Sequence, residues 1–402
     1  MNVTIKNKNQ SKFSKEALEA VNDIKSRAGK KGQFLNWINF LPSNQIKNID
    51  NIYNLANEAK KDGSNKLAIL GIGGSRHTTE ALLKLIGKDD NVVFYSSIDT
   101  VSFERFKKNL DLEKTKFLVV SKSGGTLETT VAYNETKKLL QDKLPQRNLA
   151  DAFVAMTDES EEKSKLRKIV NSGDIKLSGY VHDDVGGRFS IFDDATIFAL
   201  AFLGVDKKDV INMLETSLKS QEEYLTADVE KNDALKLAMF NVENALEGKR
   251  KHFVEYFSDA FAGTILWEKQ LKNESLKSRI STDTNVGPGY LHYNAESDLD
   301  PNNKDSFYTF VSIKDDKKES KAVINGVVAA YSNQHPVSCI ELDDLSLSSI
   351  AKFIELKHFE TLYTGNILRR LENNITSTDK ALDEVLQPNV EIYKLEVKKA
   401  LG

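Results

Sequence analysis

A single cysteine in 402 residues, Cys339, rules out an intrachain disulfide and any cysteine-based metal cluster. It lies in the apolar run HPVSCIEL and reads as a reduced, buried thiol. Proline is scarce as well, 6 residues beside 21 glycines, which excludes collagen-like and low-complexity classes and leaves a helix-rich globular protein. No apolar run approaches ~18 residues, so no membrane-spanning helix and no membrane partner are expected. The N-terminal stretch MNVTIKNKNQSKFSKEAL lacks the apolar core of a signal peptide, and the expected location is the cytoplasm. An excess of either charge is missing too, with 56 Lys and Arg against 59 Asp and Glu. That near balance gives no broad basic field for nucleic acid, so any anion must be held by a local site. No grouping of His, Cys and carboxylates has metal-ligand spacing, and neither a metal nor another cofactor is expected.

What the chain does carry is an alternation of strand and helix over a length that suggests two domains. Residues 1–65 read as mostly helical, with a break near Leu41-Pro42-Ser43. From Lys66 onward, short apolar runs at Leu67–Leu70, Val92–Tyr95, Phe117–Val120 and Phe153–Met156 alternate with helical patterns, and a further strand fits Ile175–Val181. Such alternation predicts an α/β fold, a parallel sheet with helices on both faces. Helical stretches over Ile191–Leu203 and residues 207–247 lead to a second alternation. There, strands are expected at Phe253–Phe257, Phe307–Ile313 and Pro336–Leu342 and a helix at Ala260–Leu271. The two halves share an architecture without a residue-level repeat. The tail Ala381–Leu401 reads as a helix of mixed charge.

Two turns stand out. Phe117–Val120 feeds the hydroxyl- and glycine-rich Ser121, Ser123, Gly124, Gly125 and Thr126, and helical spacing resumes at Leu127. A strand that opens a helix through such a turn points backbone N–H groups, hydroxyls and a positive dipole end at one place, which suits a phosphate. An ordinary strand-turn-helix connection uses the same residues. The second turn, Leu70-Gly71-Ile72-Gly73-Gly74-Ser75-Arg76, removes side chains where a ligand must approach backbone. It is not a dinucleotide fingerprint, because Arg76 stands where the last glycine belongs, and no Gly-Lys-Ser/Thr makes it a Walker loop. In open parallel sheets ligands collect beyond the carboxyl ends of strands, so both turns are placed to face one anion.

LGIGGS at 70–75, SKSGGTLET at 121–129, DVGGRFS at 184–190, WEKQLKNES at 267–275 and QPNVEIYK at 387–394 resemble, in order, the signatures of the glucose-6-phosphate isomerase family. The resemblance is to a divergent bacterial type and spans most of the chain. It implies two sugar-isomerase domains, each a doubly wound parallel sheet between helices, at residues 49–205 and 206–380. A helical extension over 1–48 and a C-terminal helix over 381–402 would complete the chain. It also implies a homodimer, a hexose phosphate substrate and no metal. Gly73, Gly74, Ser75, Ser121, Lys122, Ser123 and Thr126 would hold the phosphate, with Gln387 on the phosphate side and Gln270 touching substrate. Glu274 matches the base that moves a proton between C2 and C1. A carboxylate suits that task because it accepts and returns a proton and burial tunes it. Without the resemblance a lone Glu on a charged helix reads as a surface residue.

Arg188, after Gly186 and Gly187, would stabilise the enediolate with a charge that does not titrate, the alternative being an ion pair with Asp183, Asp184 or Asp193. Lys394 matches the ring-opening lysine, although Val385-Leu386 replaces the Phe-Asp pair that the family places before Gln387. The main departure is Asn285, at the place of the ring-opening histidine that the partner subunit supplies in the family, since an amide relays no proton at neutral pH. His292 in GPGYLHYN is the nearest replacement in sequence; otherwise it is an ordinary partly buried histidine. His77, inside the first turn, is a weaker candidate for that replacement and is expected instead to tune the anion site or to pack. Three activities stay open: isomerisation of glucose 6-phosphate and fructose 6-phosphate, isomerisation of a related phosphosugar such as mannose 6-phosphate, or phosphosugar binding without turnover.

Overall fold

The computed structural model describes residues 1–6, 14–315, 317–372 and 381–401. Its N-terminal strand β1 (Asn2–Lys6) departs from the helical reading of the first residues: it adds antiparallel to the edge of the second sheet, an alternating segment paired far away in sequence. Helices α1 (Ser14–Arg27) and α2 (Phe40–Ala59) follow. The first sheet is built from β2 (Lys66–Leu70), β3 (Val92–Tyr95), β4 (Thr115–Val120), β5 (Phe153–Thr157) and β6 (Leu177–Tyr180). Its order is β3-β2-β4-β5-β6 with every pairing parallel. The connecting helices are α3 (Gly74–Leu85), α4 (Thr100–Lys108), α5 (Leu127–Lys143), α6 (Leu149–Ala152) and α7 (Lys165–Asn171). Alternate residues of one strand serve opposite cores: Phe117 and Val119 pack on one face of the sheet, Leu118 and Val120 on the other. Burial on both faces is why Phe117–Val120 of β4 is a continuous apolar run.

After β6 come α8 (Asp194–Phe202), α9 (Lys207–Tyr224) and α10 (Asp233–Leu246). The second sheet then takes β7 (Lys251–Tyr256), β8 (Ser281–Val286), β9 (Ser306–Ile313) and β10 (Val337–Leu342), in the order β1-β10-β9-β7-β8. Helices α11 (Thr264–Leu276), α12 (Leu291–Asp298) and α13 (Lys318–Ser332) connect these strands. Strand β8, STDTNV, has no apolar run to announce it. It is held by parallel pairing to β7 and by Asn273, whose amide donates to Thr282 O at 2.9 Å while its Oδ1 accepts the Thr282 N–H at 2.8 Å.

Helix α14 (Leu347–Leu371), 25 residues long, runs through the middle of the molecule and is buried all round from Phe353 to Leu368. A helix with no wet face shows no amphipathic stripe in its sequence. The largest apolar cluster contains Leu118 and Val154 of the first sheet, Val254 and Ile340 of the second, and Phe359 and Leu362 of α14, so one core serves both sheets. The last helix, α15 (Val390–Leu401), begins nine residues after Ala381 and lies exposed. Cys339 on β10 is half-buried rather than buried. Among the described residues no helix is long and apolar enough to cross a membrane.

Candidate active site

The two turns singled out in the sequence lie at the carboxyl ends of the adjacent strands β2 and β4, where α3 and α5 begin. Each serine of the second turn is part of its internal bonding. Ser121 Oγ accepts the Gly124 N–H at 3.0 Å and donates to Thr126 Oγ1 at 3.5 Å, and Ser123 Oγ accepts the Gly125 N–H at 3.2 Å, so the turn is tied together by its own hydroxyls. Thr126 precedes α5 without capping it through its side chain, so the first N–H groups of that helix stay open to an anion. Lys122 pairs with Asp183 at 3.3 Å and, with Ser75, lines a cavity of about 120 Å³ between the turns.

Glycine is needed where the first turn meets the Arg188 turn. A Cβ on Gly74 would sit 2.2 Å from the carbonyl carbon of Gly187, against backbone that no rotamer change can move. Gly74→Ala should therefore destabilise the fold by roughly 1–3 kcal/mol or more, the cost of an overpacked interior. Unfolding midpoints in denaturant read this directly, and an unchanged midpoint would show that the two turns separate freely.

Arg188 is 1% exposed and is fixed from several sides. Both tryptophans hold its turn: Trp267 Nε1 donates to Arg188 O at 3.0 Å, and Trp37 stacks on Phe189 with ring centroids 5.2 Å apart. The guanidinium donates to Ser275 Oγ at 2.9 Å, to Glu274 Oε2 at 3.2 Å and to the Glu384 carbonyl. Burial lowers its pKa to about 10, and Glu274 and Glu384 act against that shift, so it stays charged at neutral pH. Its ion pair is with Glu274, not with Asp183, Asp184 or Asp193.

Glu274 is where the separate signatures converge. Gln270, one turn earlier on α11, donates to Glu274 Oε1 at 3.0 Å, and Gln387 donates to Oε2. Gln387 thus contacts the carboxylate itself rather than either glycine-rich turn. His77 Nδ1 lies 3.1 Å from Gln270 Oε1, a contact across 193 positions that no local spacing announces. Ser275 and the Glu384 carbonyl complete the support and were equally unmarked in the sequence. Within this chain Lys394 and His292 are not brought to the cluster. Lys394 is exposed on α15 and pairs with Glu391 at 2.8 Å, and His292 is exposed on α12. Asn285 is committed elsewhere, donating at 3.0 Å to Glu255, a buried carboxyl pushed up to about 8 by burial.

The fold also assembles a group that sequence spacing does not reveal: His182, Asp193 and Asp194 present three ligating atoms within 4.8 Å of one another. These atoms are already engaged. His182 Nδ1 meets Asp193 and its Nε2 meets the Asn44 amide at 2.9 Å, while Asp194 accepts from Gln45 at 2.8 Å and from the Tyr180 N–H at 3.0 Å. Burial opposes charge on His182, yet the hydrogen bond and charge of Asp193 prevail and raise its pKa from 6.5 to about 9. Stability from this imidazolium is therefore complete below about pH 6.5 and is lost as pH rises through about 9. Thermal unfolding followed from about pH 6 to about pH 10 should show a fall in Tm that His182→Asn lacks; parallel curves would refute it. A cavity of about 740 Å³ opens beside this group between α2 and the ends of β5 and β6. It does not include Glu274, and the chemistry is assigned to the cluster because proton transfer needs positioned groups more than volume.

Fold and cluster together define a doubly wound α/β protein with two glycine- and hydroxyl-rich turns at its strand ends and a hydrogen-bonded carboxylate beside them. The sequence profile of the phosphoglucose isomerase family matches residues 56–308, and the chain belongs to that family. It is 29% identical to the glucose-6-phosphate isomerase of Clostridium novyi (strain NT) over 274 residues, 63% of this chain and 57% of the relative. With the glucose-6-phosphate isomerase of Mycoplasmopsis pulmonis it shares 29% over 278 residues, 64% of this chain and 61% of that one. The chain thus spans less than two thirds of the length of these curated relatives. Among solved structures it resembles a hypothetical protein from Thermus thermophilus over the full length of both chains, with TM-score 0.81 and 19% identity. It also resembles the glucose-6-phosphate isomerase of Chlamydia trachomatis, with TM-score 0.73 and 20% identity over 95% of this chain and 78% of that one. At these identities the structural likeness speaks for the fold.

Proposed function

We propose that the chain interconverts glucose 6-phosphate and fructose 6-phosphate through a cis-enediolate. The observation that carries this reading is Glu274, a carboxylate that takes donors from Arg188, Gln270 and Gln387 beside two turns built for an anion. Ser75, Ser121, Lys122, Ser123, Thr126 and backbone N–H groups hold the phosphate, with Gly73 and Gly74 admitting it to the backbone. Remote anchorage of this kind contributes to the chemical step by fixing C1 and C2 against the base. Glu274 removes the proton at C2 and returns it at C1, and the fixed charge of Arg188 stabilises the enediolate. Gln270 and Gln387 hold the carboxylate in place. Ile392, Tyr393 and Leu395 are all more than half exposed on α15, an apolar surface that a second subunit of a homodimer would cover, and Lys394 lies between them.

Purified protein in a coupled assay from fructose 6-phosphate, run beside mannose 6-phosphate, tests activity and sugar preference together. Asn285, spent on Glu255, favours a second reading, a phosphosugar-binding protein without turnover. Binding of a five-carbon phosphosugar acid with no conversion of either hexose phosphate would establish that reading instead.

A further inference from the structure

The contact between His77 and Gln270 determines which imidazole nitrogen carries the proton. Gln270 uses its amide nitrogen to donate to Glu274 Oε1 at 3.0 Å, so its oxygen is the atom turned toward His77. An amide oxygen only accepts, and His77 Nδ1, 3.1 Å away, must be the N–H donor. Nε2 is then the basic nitrogen, and no side chain among the described residues binds it. Burial lowers the pKa of His77 below 6.5, with Arg76 acting the same way and Gln270, Glu80 and Glu274 opposing. The imidazole is neutral at neutral pH and able to accept a proton. His77 also sits two residues beyond Ser75, in the first turns of α3, on the same loop-to-helix junction as the phosphate cradle.

A pyranose cannot lose its C2 proton to an enediolate until the ring opens, and that step needs a titrating group near the anomeric carbon. Asn285 does not titrate and holds Glu255, and the two other candidates are placed away from the cluster in this chain: His292 is exposed on α12, and Lys394 pairs with Glu391 on α15. Among the described residues, His77 is a histidine tied to Glu274 through a single intervening residue, Gln270. Resting on the isomerase reading above, we propose that His77 is the ring-opening residue. Its Nε2 takes the proton of the O1 hydroxyl as the C1–O5 bond breaks and the C1 carbonyl forms, and the imidazolium returns that proton to O5. Nothing is gained or lost overall: one proton moves from O1 to O5. Gln270 holds the ring-opening base by its oxygen and the C2 base by its nitrogen, so one carboxamide sets the distance between the two proton transfers.

The test reads ring opening by itself, as interconversion of the α and β anomers of glucose 6-phosphate followed by magnetisation-transfer NMR. His77→Gln keeps a donor for Gln270 and removes the titrating nitrogen. It should slow enzymatic anomer interconversion by about a hundredfold or more, the usual scale of general acid–base catalysis. Phosphosugar binding and the unfolding midpoint should be unchanged. His77→Asn serves as the second variant, should the first fail to fold, with the same expected loss. If the wild-type protein isomerises hexose phosphates while either folded variant interconverts anomers at the wild-type rate, this inference falls and the isomerase reading stands. If the wild-type protein does neither, both fall.

Discussion

Replacing Glu274 by glutamine should abolish exchange of the substrate C2 proton with solvent, lowering it by about 10²–10⁴-fold, while phosphosugar binding survives. The carboxylate can both take and return a proton, which the Arg188, Gln270 and Gln387 side chains that donate to it cannot do at neutral pH. It accepts from Arg188, Gln270 and Gln387, and glutamine matches its size but carries no charge and no basic oxygen of comparable strength. The turns at 71–75 and 121–126 proposed to hold the phosphate are separate from this carboxylate, so anchorage should persist. Deuterium incorporation at C2, with binding of fructose 6-phosphate followed by calorimetry, checks both halves. Exchange at the wild-type rate would mean that another residue is the base.

The second large effect concerns stability. Lys272 and Glu268 on α11 and Lys357 and Glu360 on α14 are all 0% exposed and form a neutral ring of four charges. Lys357 lies 2.7 Å from Glu268 and 3.3 Å from Glu360, and Lys272 contacts Glu360 directly. Tyr256 donates to Glu268, and Asn241 donates to Glu360 at 2.8 Å. Removing one member strands its partner's charge in the core. Lys272→Met should therefore cost roughly 3–5 kcal/mol, whereas Lys272→Met combined with Glu360→Met should recover much of that loss, because an apolar pair of similar volume is often neutral or better. Denaturant midpoints of the two single variants and the double variant form the cycle that decides. Strict additivity would show that the ring is not the cause. The ring faces away from Gln270 and Glu274 on the same helix, so it sets how α11 seats against α14 and thereby where Glu274 points.

Much of the scaffold was legible because local chemistry encodes it. Strands such as Phe117–Val120 are runs of β-branched and aromatic residues bounded by glycine and hydroxyls, and a sheet buried on both faces produces that pattern. Gln270 and Glu274, four apart, fall on one face of any helix. The elements that escaped had no such local mark. Strand β8 is made of Ser, Thr, Asp and Asn and exists because β7 and the Asn273 side chain pair with it. Helix α14 has no solvent-exposed face along its middle, and β1 joins the molecule at strand β10, more than 300 positions away.

The division for the site follows from the same physics. The sequence by itself marked the two glycine- and hydroxyl-rich turns through their residue types at short spacing, whereas Glu274 as the candidate base and Arg188 as its fixed charge came from the resemblance of their motifs to the family. Only the tertiary structure decided that Arg188 pairs with Glu274 across 86 positions, that Gln387 reaches the carboxylate rather than the phosphate, and that His77 meets it through Gln270. It also decided that His292 and Lys394 stand apart within this chain. A hydrogen bond between distant residues leaves no period in a sequence, because what brings the partners together is burial of the shared apolar core between them.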